Sequence, residues 1–451
     1  MNLLALLAAL LPWATTPVAA FTRVYVACGI LSLEAQAITV TGRGSLDSVV
    51  PLNVAALLVI TVWQLWKRQP AWRWVGTSAA VLPCALLAAL ALVVGALNLR
   101  LPAEAADAYQ LDRILQIERS GSLAFSAEID PKANIVGAFY ELVLADLQGV
   151  PAVGPWLVRF HGIFGLLIFS LAMASVQTWY PLGTSQWPRA LLFVVPVVFN
   201  QFVLIKNDLF IAAPALVALA WAAGTTSRPS RQEALWAAWL AGLVVAAKLT
   251  NGAVALVVGA GVFLRDRHWR PLLTAALGLA AGIVTGGLLL TMWQNTAWYG
   301  DPFARAQVEA IGSLNRSLAA VGTGFIRFLL SWFDLGLFTR SYWPNRGGWG
   351  GTYGLPFIWA LAALAVSFRA LPGTRRAAAA AGLGLLALGV TFPDADLAHR
   401  LALGPGLLVV VAGASAAARL NRRWLNHALI VVVLLSALQL GRSAVLYIMR
   451  G

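Results

Sequence analysis

Residues 98–149 read NLRLPAEAADAYQLDRILQIERSGSLAFSAEIDPKANIVGAFYELVLADLQG, a polar stretch between runs apolar enough to enter a membrane. Eight of the chain's 18 acidic residues lie in it: Glu104, Asp107, Asp112, Glu118, Glu128, Asp130, Glu141 and Asp146. Charges are costly in hydrocarbon, so carboxylates at this density belong in water or in a site. The part AADAYQLDRILQIERSG sets Ile114, Leu115 and Ile117 among charges, the pattern of a helix lying along a membrane surface. The chemistry of the chain is expected in this segment.

Working outward, the remaining sequence explains why the segment stands apart. Of 451 residues 60% are hydrophobic and 11% charged, which makes the chain an integral membrane protein. Long apolar runs, rather than ten-residue alternating strands, make it all-α and polytopic. The net charge of +14 does not point to nucleic acid, because the arginines sit in short clusters between apolar runs. Cys28 and Cys84 lie in apolar stretches without polar neighbours, so neither a disulfide nor a metal site is expected. The opening MNLLALLAALLPWATTPVAA ends in small residues like a signal peptide but lacks a basic start; we read it as a first membrane helix.

Candidate spans cover 2–18, 20–40, 48–66 and 76–98, then 155–178, 190–205, 209–223, 233–247, 252–264 and 272–297, and finally 352–368, 377–391, 400–418 and 425–446. Several fall short of the roughly 20 residues that cross a bilayer, so about 12 to 14 membrane helices are expected, some meeting inside the protein. The chain divides into N-terminal membrane helices (1–75), a core with loop segments 99–150 and 298–350 (76–418), and a C-terminal helix (419–451). Lys67, Arg68 and Arg73, then Arg228 and Arg231, Arg265, Arg267 and Arg270, Arg369, Arg375 and Arg376, and Arg419, Arg422 and Arg423 mark cytoplasmic loops. That choice sends 99–150, 206–208, 248–251, 298–350 and 393–399 together to the opposite, outer face.

Four polar clusters therefore join the first segment. Lys206-Asn207-Asp208 and Lys248-Leu249-Thr250-Asn251 place half of the four lysines at the outer ends of central helices. Lys206 and Asp208 neutralising each other is one reading; a polar floor for an anionic head group is the other, because ammonium and amide donors suit phosphate. Segment 298–350 opens on an Asp301-Pro302 turn and holds a surface helix over 306–320 and an interfacial one near 325–333. It closes on Gly347-Gly348-Trp349-Gly350-Gly351, which has neither the strand context nor the trailing lysine of a phosphate loop; Arg346 beside it is a candidate phosphate contact. Asp394 and Asp396 have the Asp-x-Asp spacing of a divalent-cation ligand pair, which more often is a solvated turn, and no metal is predicted. His399 and Arg400 open the next apolar span.

In this order the clusters resemble those of bacterial GT-C-fold glycosyltransferases, relatives of the protein O-mannosyltransferases and the lipid A aminoarabinose transferases. Asp107-Ala108-Tyr109 with Ile114, then Ser120-Gly121-Ser122-Leu123, looks like the segment after that family's first core helix. Asn207-Asp208 is similar to its "ND" helix start, Lys248-Leu249-Thr250 to its "K-x-T" step, Tyr299-Gly300-Asp301-Pro302-Phe303 to its "G-N-P" motif, and His399-Arg400 to its late arginine. The resemblance covers roughly 76–418, with departures: Gln110 follows Tyr109 where many relatives have histidine, and Asp301 replaces asparagine. It implies a GT-C-like fold, a polyprenyl-phosphate-linked sugar as donor, a lipid, glycan or protein acceptor hydroxyl, inversion at the anomeric carbon, and an active site on the periplasmic face of a bacterial plasma membrane.

Among the eight carboxylates Asp107 is the expected general base. It lies near the end of span 76–98, where a lipid-linked donor presents its sugar, and has no basic neighbour in sequence to hold it ionised. Asp112 and Glu118 precede arginines and read as solvated charges; Asp130 and Glu128 flank a turn with Lys132; Glu141 and Asp146 belong to a second amphipathic stretch. Tyr109, Lys206, Asp208, Lys248, Arg346 and Arg400 are the expected donor-binding residues. A transporter or flippase would instead place charges near span midpoints and show related halves, and a polysaccharide polymerase or ligase would carry its largest outer loop late.

Overall fold

A computed structural model describes residues 1–67, 108–129, 137–152, 161–198, 208–224, 228–266, 268–305, 353–391 and 403–450, with single positions 134, 323 and 326. Among these residues every regular element is helical. In chain order they are α1 (Asn2–Leu10), α2 (Pro17–Thr41), α3 (Leu46–Trp66), α4 (Ala108–Ser120), α5 (Phe139–Gln148), α6 (His161–Val176), α7 (Trp187–Phe193) and α8 (Asp208–Gly224). The second half holds α9 (Arg231–Ala247), α10 (Gly252–Arg265), α11 (Trp269–Thr285), α12 (Leu288–Tyr299), α13 (Gly354–Ser367), α14 (Pro372–Thr391), α15 (Leu403–Leu420) and α16 (Arg423–Arg450).

Four described helices are long and apolar enough to cross a membrane: α2, α3, α15, and α16 over Arg423–Arg442. The expected span 272–297 is broken, since α11 and α12 meet at a bend of 54°. Gly287 makes the bend possible, because its φ of +81° lies where a side chain would strain the backbone. The shorter helices are the expected core. α8 is apolar all round and buried from Asp208 to Ala223; a helix without a polar face belongs inside a bundle. It packs against α6, α9, α10, α14 and α15. The opening is shorter than the expected span 2–18: α1 ends at Leu10 and a single 3₁₀ turn reaches Trp13, after which Thr16 caps α2.

The most extensive described helix pair, α9 with α11, is built on small residues. A Cβ at Gly242 would meet the backbone of Leu279, one at Gly278 that of Leu235, and one at Gly282 that of Trp239. In lipid no hydrophobic force separates helix–helix from helix–lipid contact, so close backbone approach supplies the attraction. Gly282→Ala is therefore expected to cost about 2 kcal/mol through overpacking. Thermal unfolding in detergent measures this; an unchanged midpoint would show that the pair has room to move apart.

Helix ends segregate into two groups. In one, Leu46 at the start of α3, Thr39 near the end of α2 and Gln294 on α12 meet the segment that follows α4, while Asp208 at the start of α8, Lys248 after α9 and Gly404 at the start of α15 meet one another. In the other, arginines from α10 and α14 donate to carbonyls at the end of α8. The described Asp208 and Lys248 clusters thus meet at the start of α8, and Arg265, Arg376 and Arg419 stand together at its other end.

Candidate functional site

The first polar segment is locked into the bundle. α4 ends at Gly121, whose φ is +62° and whose Cα faces Ser45 so closely that a Cβ would collide. Its carbonyl accepts from Leu46 N at 3.2 Å. Leu123 N donates to Thr39 Oγ1 at 2.8 Å, and Leu123 O accepts from Arg113 at 2.9 Å and Gln294 at 3.1 Å. One residue therefore ties the segment to α2, α4 and α12. The amphipathic helix expected here is present with one face buried and one exposed: Ile114 and Ile117 are fully buried with Gln110 and Arg113 beside them, whereas Asp112, Glu118 and Arg119 are exposed. Positions 110, 113, 114 and 117 form one face at i, i+3, i+4 and i+7, and that face packs on α5.

Arg113 is the polar centre of this face. Its guanidinium donates to Gln116 Oε1 at 2.8 Å and to the carbonyls of Leu123 and Ala124. Asn134 Oδ1 sits at 3.4 Å and also accepts from Ser126 N. Burial pulls Arg113 down to about 10, although the carboxylate of Glu141 opposes the shift. Asp112 is exposed on the opposite face, so the expected solvated Asp112–Arg113 neighbourhood holds for the acid alone.

Glu141 on α5 is the group that the sequence reading set aside. It is 2% exposed, and neither carboxyl oxygen has a hydrogen-bond partner among the described residues. Burial raises it from 4.5 to about 7, against the lowering influence of its own backbone amide and of Arg113 and Lys248. The buried Gln110 amide lies beside it and also favours its ionised form. Asp146, five residues on, is consumed structurally: its carboxylate accepts from Asn2 N at 3.1 Å, Leu3 N at 2.9 Å and Asn2 Nδ2 at 3.0 Å. It thereby caps α1 from across the chain. Asn2 and Asn53 continue this polar network to Glu34 inside α2.

Asp208 opens α8 and Lys248 follows α9, and the two side chains form an ion pair. The Asp208 carboxylate is 1% exposed and the Lys248 side chain 22%, so the ammonium keeps one side open. An ammonium has three donors, and a carboxylate partner on one side leaves others for a ligand. The pair borders a narrow cleft with Asn251, Ile211, Ala212, Ala215 and Gly404. Phe210, next along α8, packs against Tyr25, Phe139, Tyr140 and Phe164. Those rings fix α5, and hence Glu141, relative to α8.

The structure thus joins two expected residues, Asp208 and Lys248, and adds Glu141, Arg113 and Gln110 to them. Asp107, Lys206, Arg346 and Arg400 lie outside the described residues, as do the side chain of Tyr109, the helices expected at 306–320 and 325–333, the glycine run and the Asp394–Asp396 pair. The Asp301 turn is present, its carboxylate accepting from Phe303 N and Arg305 N, which lowers its protonation.

No family model matches the chain, and no curated protein matches it by sequence. One solved structure does match. ArnT from Cupriavidus metallidurans, crystallised bound to undecaprenyl phosphate, aligns over 74% of this chain with a TM-score of 0.50 and 18% identity. The chain has a GT-C-like fold. The alignment spans 59% of ArnT's own length. At this identity the likeness concerns helix arrangement, and the chemistry has to be argued from the residues.

Proposed function

We propose that the protein is an inverting glycosyltransferase that moves a sugar from a polyprenyl-phosphate donor to an acceptor hydroxyl at the end of the bundle formed by α4, α5 and the Asp208–Lys248 pair. The observation that carries this is the convergence of a partly open ammonium, a buried arginine and a near-neutral carboxyl group at one end of a fold shared with an undecaprenyl-phosphate-bound protein. The arginine clusters at the opposite end support an extracytoplasmic site in a bacterial plasma membrane.

In this reading Asp107, immediately before α4, takes the proton of the acceptor hydroxyl. The acceptor oxygen attacks the anomeric carbon from the face opposite the phosphate. The bond between that carbon and the phosphate oxygen breaks, and its electron pair leaves with the polyprenyl phosphate. Lys248, Lys206, Arg346 and Arg400 stabilise the departing negative charge, and Tyr109 donates its hydroxyl to the donor. Asp208 orients Lys248. A transporter reading is less well supported, because Asp208 and Lys248 stand at helix ends, and Arg113 and Glu141 stand on helices that are not candidate spans.

Lys248→Ala is expected to weaken binding of a polyprenyl-phosphate sugar by at least about tenfold, the scale of one charge-assisted hydrogen bond. Binding as tight as that of the parent protein would remove Lys248 from the donor site.

The Glu141 carboxyl favours a second assignment of the base, since a buried acid near neutrality can accept a proton at working pH. The pH–rate profile separates the two. With Glu141 as base, the parent shows a rising limb near pH 7 that disappears in Glu141→Gln. With Asp107 as base, the limb lies at lower pH and survives that substitution.

A further inference from the structure

At the arginine end, a cavity of about 370 Å³ lies far along α8 from the Asp208–Lys248 pair. Trp179, Tyr180, Gly224, Thr374, Arg376, Ser415 and Arg419 are among its walls. The size falls in the range of small-ligand sites. Two of its features are unexplained by packing. Tyr180 is 4% exposed, yet its hydroxyl has no hydrogen-bond partner among the described residues. Around it stand three guanidinium groups, Arg376, Arg265 and Arg419, and no carboxylate is ion-paired with any of them among the described residues.

Each arginine is already placed. Arg376 Nε donates to Ala223 O at 2.9 Å, which leaves its terminal nitrogens free to reach a ligand. Arg265 lies over the Trp221 ring and donates to the carbonyls of Trp221 and Ala222, with its Nη1 buried and unpartnered. Arg419 projects from the last turn of α15. The first turn of α14, at Pro372, Gly373 and Thr374, contributes the positive end of a 20-residue helix to the same wall. Glu233 is the acid that acts on Arg265, but its carboxylate is held by Ser230 N at 2.8 Å in a capping box. Arginines that only marked a cytoplasmic loop would need neither a cavity nor a buried hydroxyl beside them.

We propose that this cavity is a second anion site, which binds a phosphate ester through Arg376 and Arg419 with the Tyr180 hydroxyl donating to a phosphate oxygen. The planar guanidinium fork matches phosphate oxygens two at a time, and basic pockets between membrane helices hold lipid head groups in this way. The ligand is an anionic phospholipid head group or a soluble phosphate ester. The site lies at the opposite end of the bundle from the proposed reaction, so its ligand is neither donor nor acceptor, and the proposal stands or falls independently of the transferase reading.

The test uses the full chain in nanodiscs of neutral phosphatidylcholine, with thermal unfolding as readout. Inorganic phosphate and glycerol 3-phosphate are added in one arm, with chloride at equal ionic strength as control. Phosphatidylglycerol is built into the disc in the other. The parent protein is expected to gain stability in at least one arm: a response to the soluble probes identifies a soluble ester, and a response to phosphatidylglycerol alone identifies a lipid head group. Arg376→Gln with Arg419→Gln should weaken that response at least about tenfold in ligand concentration. Both arginines are exposed, so the exchange spares the core. Tyr180→Phe, which keeps the packing, should weaken it several-fold. No stabilisation of the parent in either arm overturns the proposal, as does a response equal in the parent and in both variants.

Discussion

Asp107→Asn is expected to lower turnover by at least about a hundredfold while leaving donor binding intact, the scale on which general bases act. The substitution keeps the shape of the side chain and its ability to cap α4, which begins at Ala108. What it removes is the proton acceptor. The segment that follows α4 is tied back by hydrogen bonds, from Arg113 to Leu123 O and from Leu46 N to Gly121 O. A structural role for Asp107 predicts a different pattern, with loss of protein stability and of binding together with turnover. Near-normal turnover would shift the base to Glu141. Asp112, read from the sequence as a solvated charge, is exposed on the opposite face of α4.

The second large effect concerns Glu141 and pH. Its carboxyl ionises at 4.5 in the unfolded chain and at about 7 in the folded one, raised by burial. Between those values the folded protein holds a proton that the unfolded chain has released. Stability therefore falls as pH rises through that window, and it is level below 4.5 and above about 7 as far as this group is concerned. The total change is roughly 3 kcal/mol, from the size of the shift. Glu141→Gln stays neutral at every pH. It is expected to remove this slope and to make the protein more stable than the parent at pH 8, where the parent carries a buried anion. Unfolding midpoints of both proteins between pH 4.5 and 8 measure this, and parallel profiles would show that Glu141 is not a buried acid.

Much of the arrangement was legible in the sequence, and particular residues show why the rest was not. The runs 20–40 and 48–66 are long, predominantly apolar windows, and they fold as α2 and α3 within a few residues. The common end of the Asp208 and Lys248 clusters followed from counting alternating helices between arginine markers, a property of topology that one-dimensional spacing records. The ion pair between them did not follow, because Lys206 is nearer to Asp208 in sequence and α8 and α9 had to be packed side by side first. Arg113 beside Asp112 looked like a solvated pair, although its spacing to Gln110, Ile114 and Ile117 already placed it on the buried face. Glu141 gave no such signal. In FYELVLADLQ it is one of two acids in an apolar helix, and the groups that define its chemistry come from α4 and the end of α9. Asp146 was set aside as part of the same amphipathic stretch, and the groups that hold its carboxylate lie at the first residues of the chain.

The most direct measurement is a density map of the protein with undecaprenyl phosphate bound in a lipid nanodisc. The account predicts phosphate density at the end of the bundle where Lys248 meets Asp208, within reach of α4 and the Glu141 carboxyl. Phosphate density at the arginine end alone, or none beside Lys248 at saturating lipid, would contradict it.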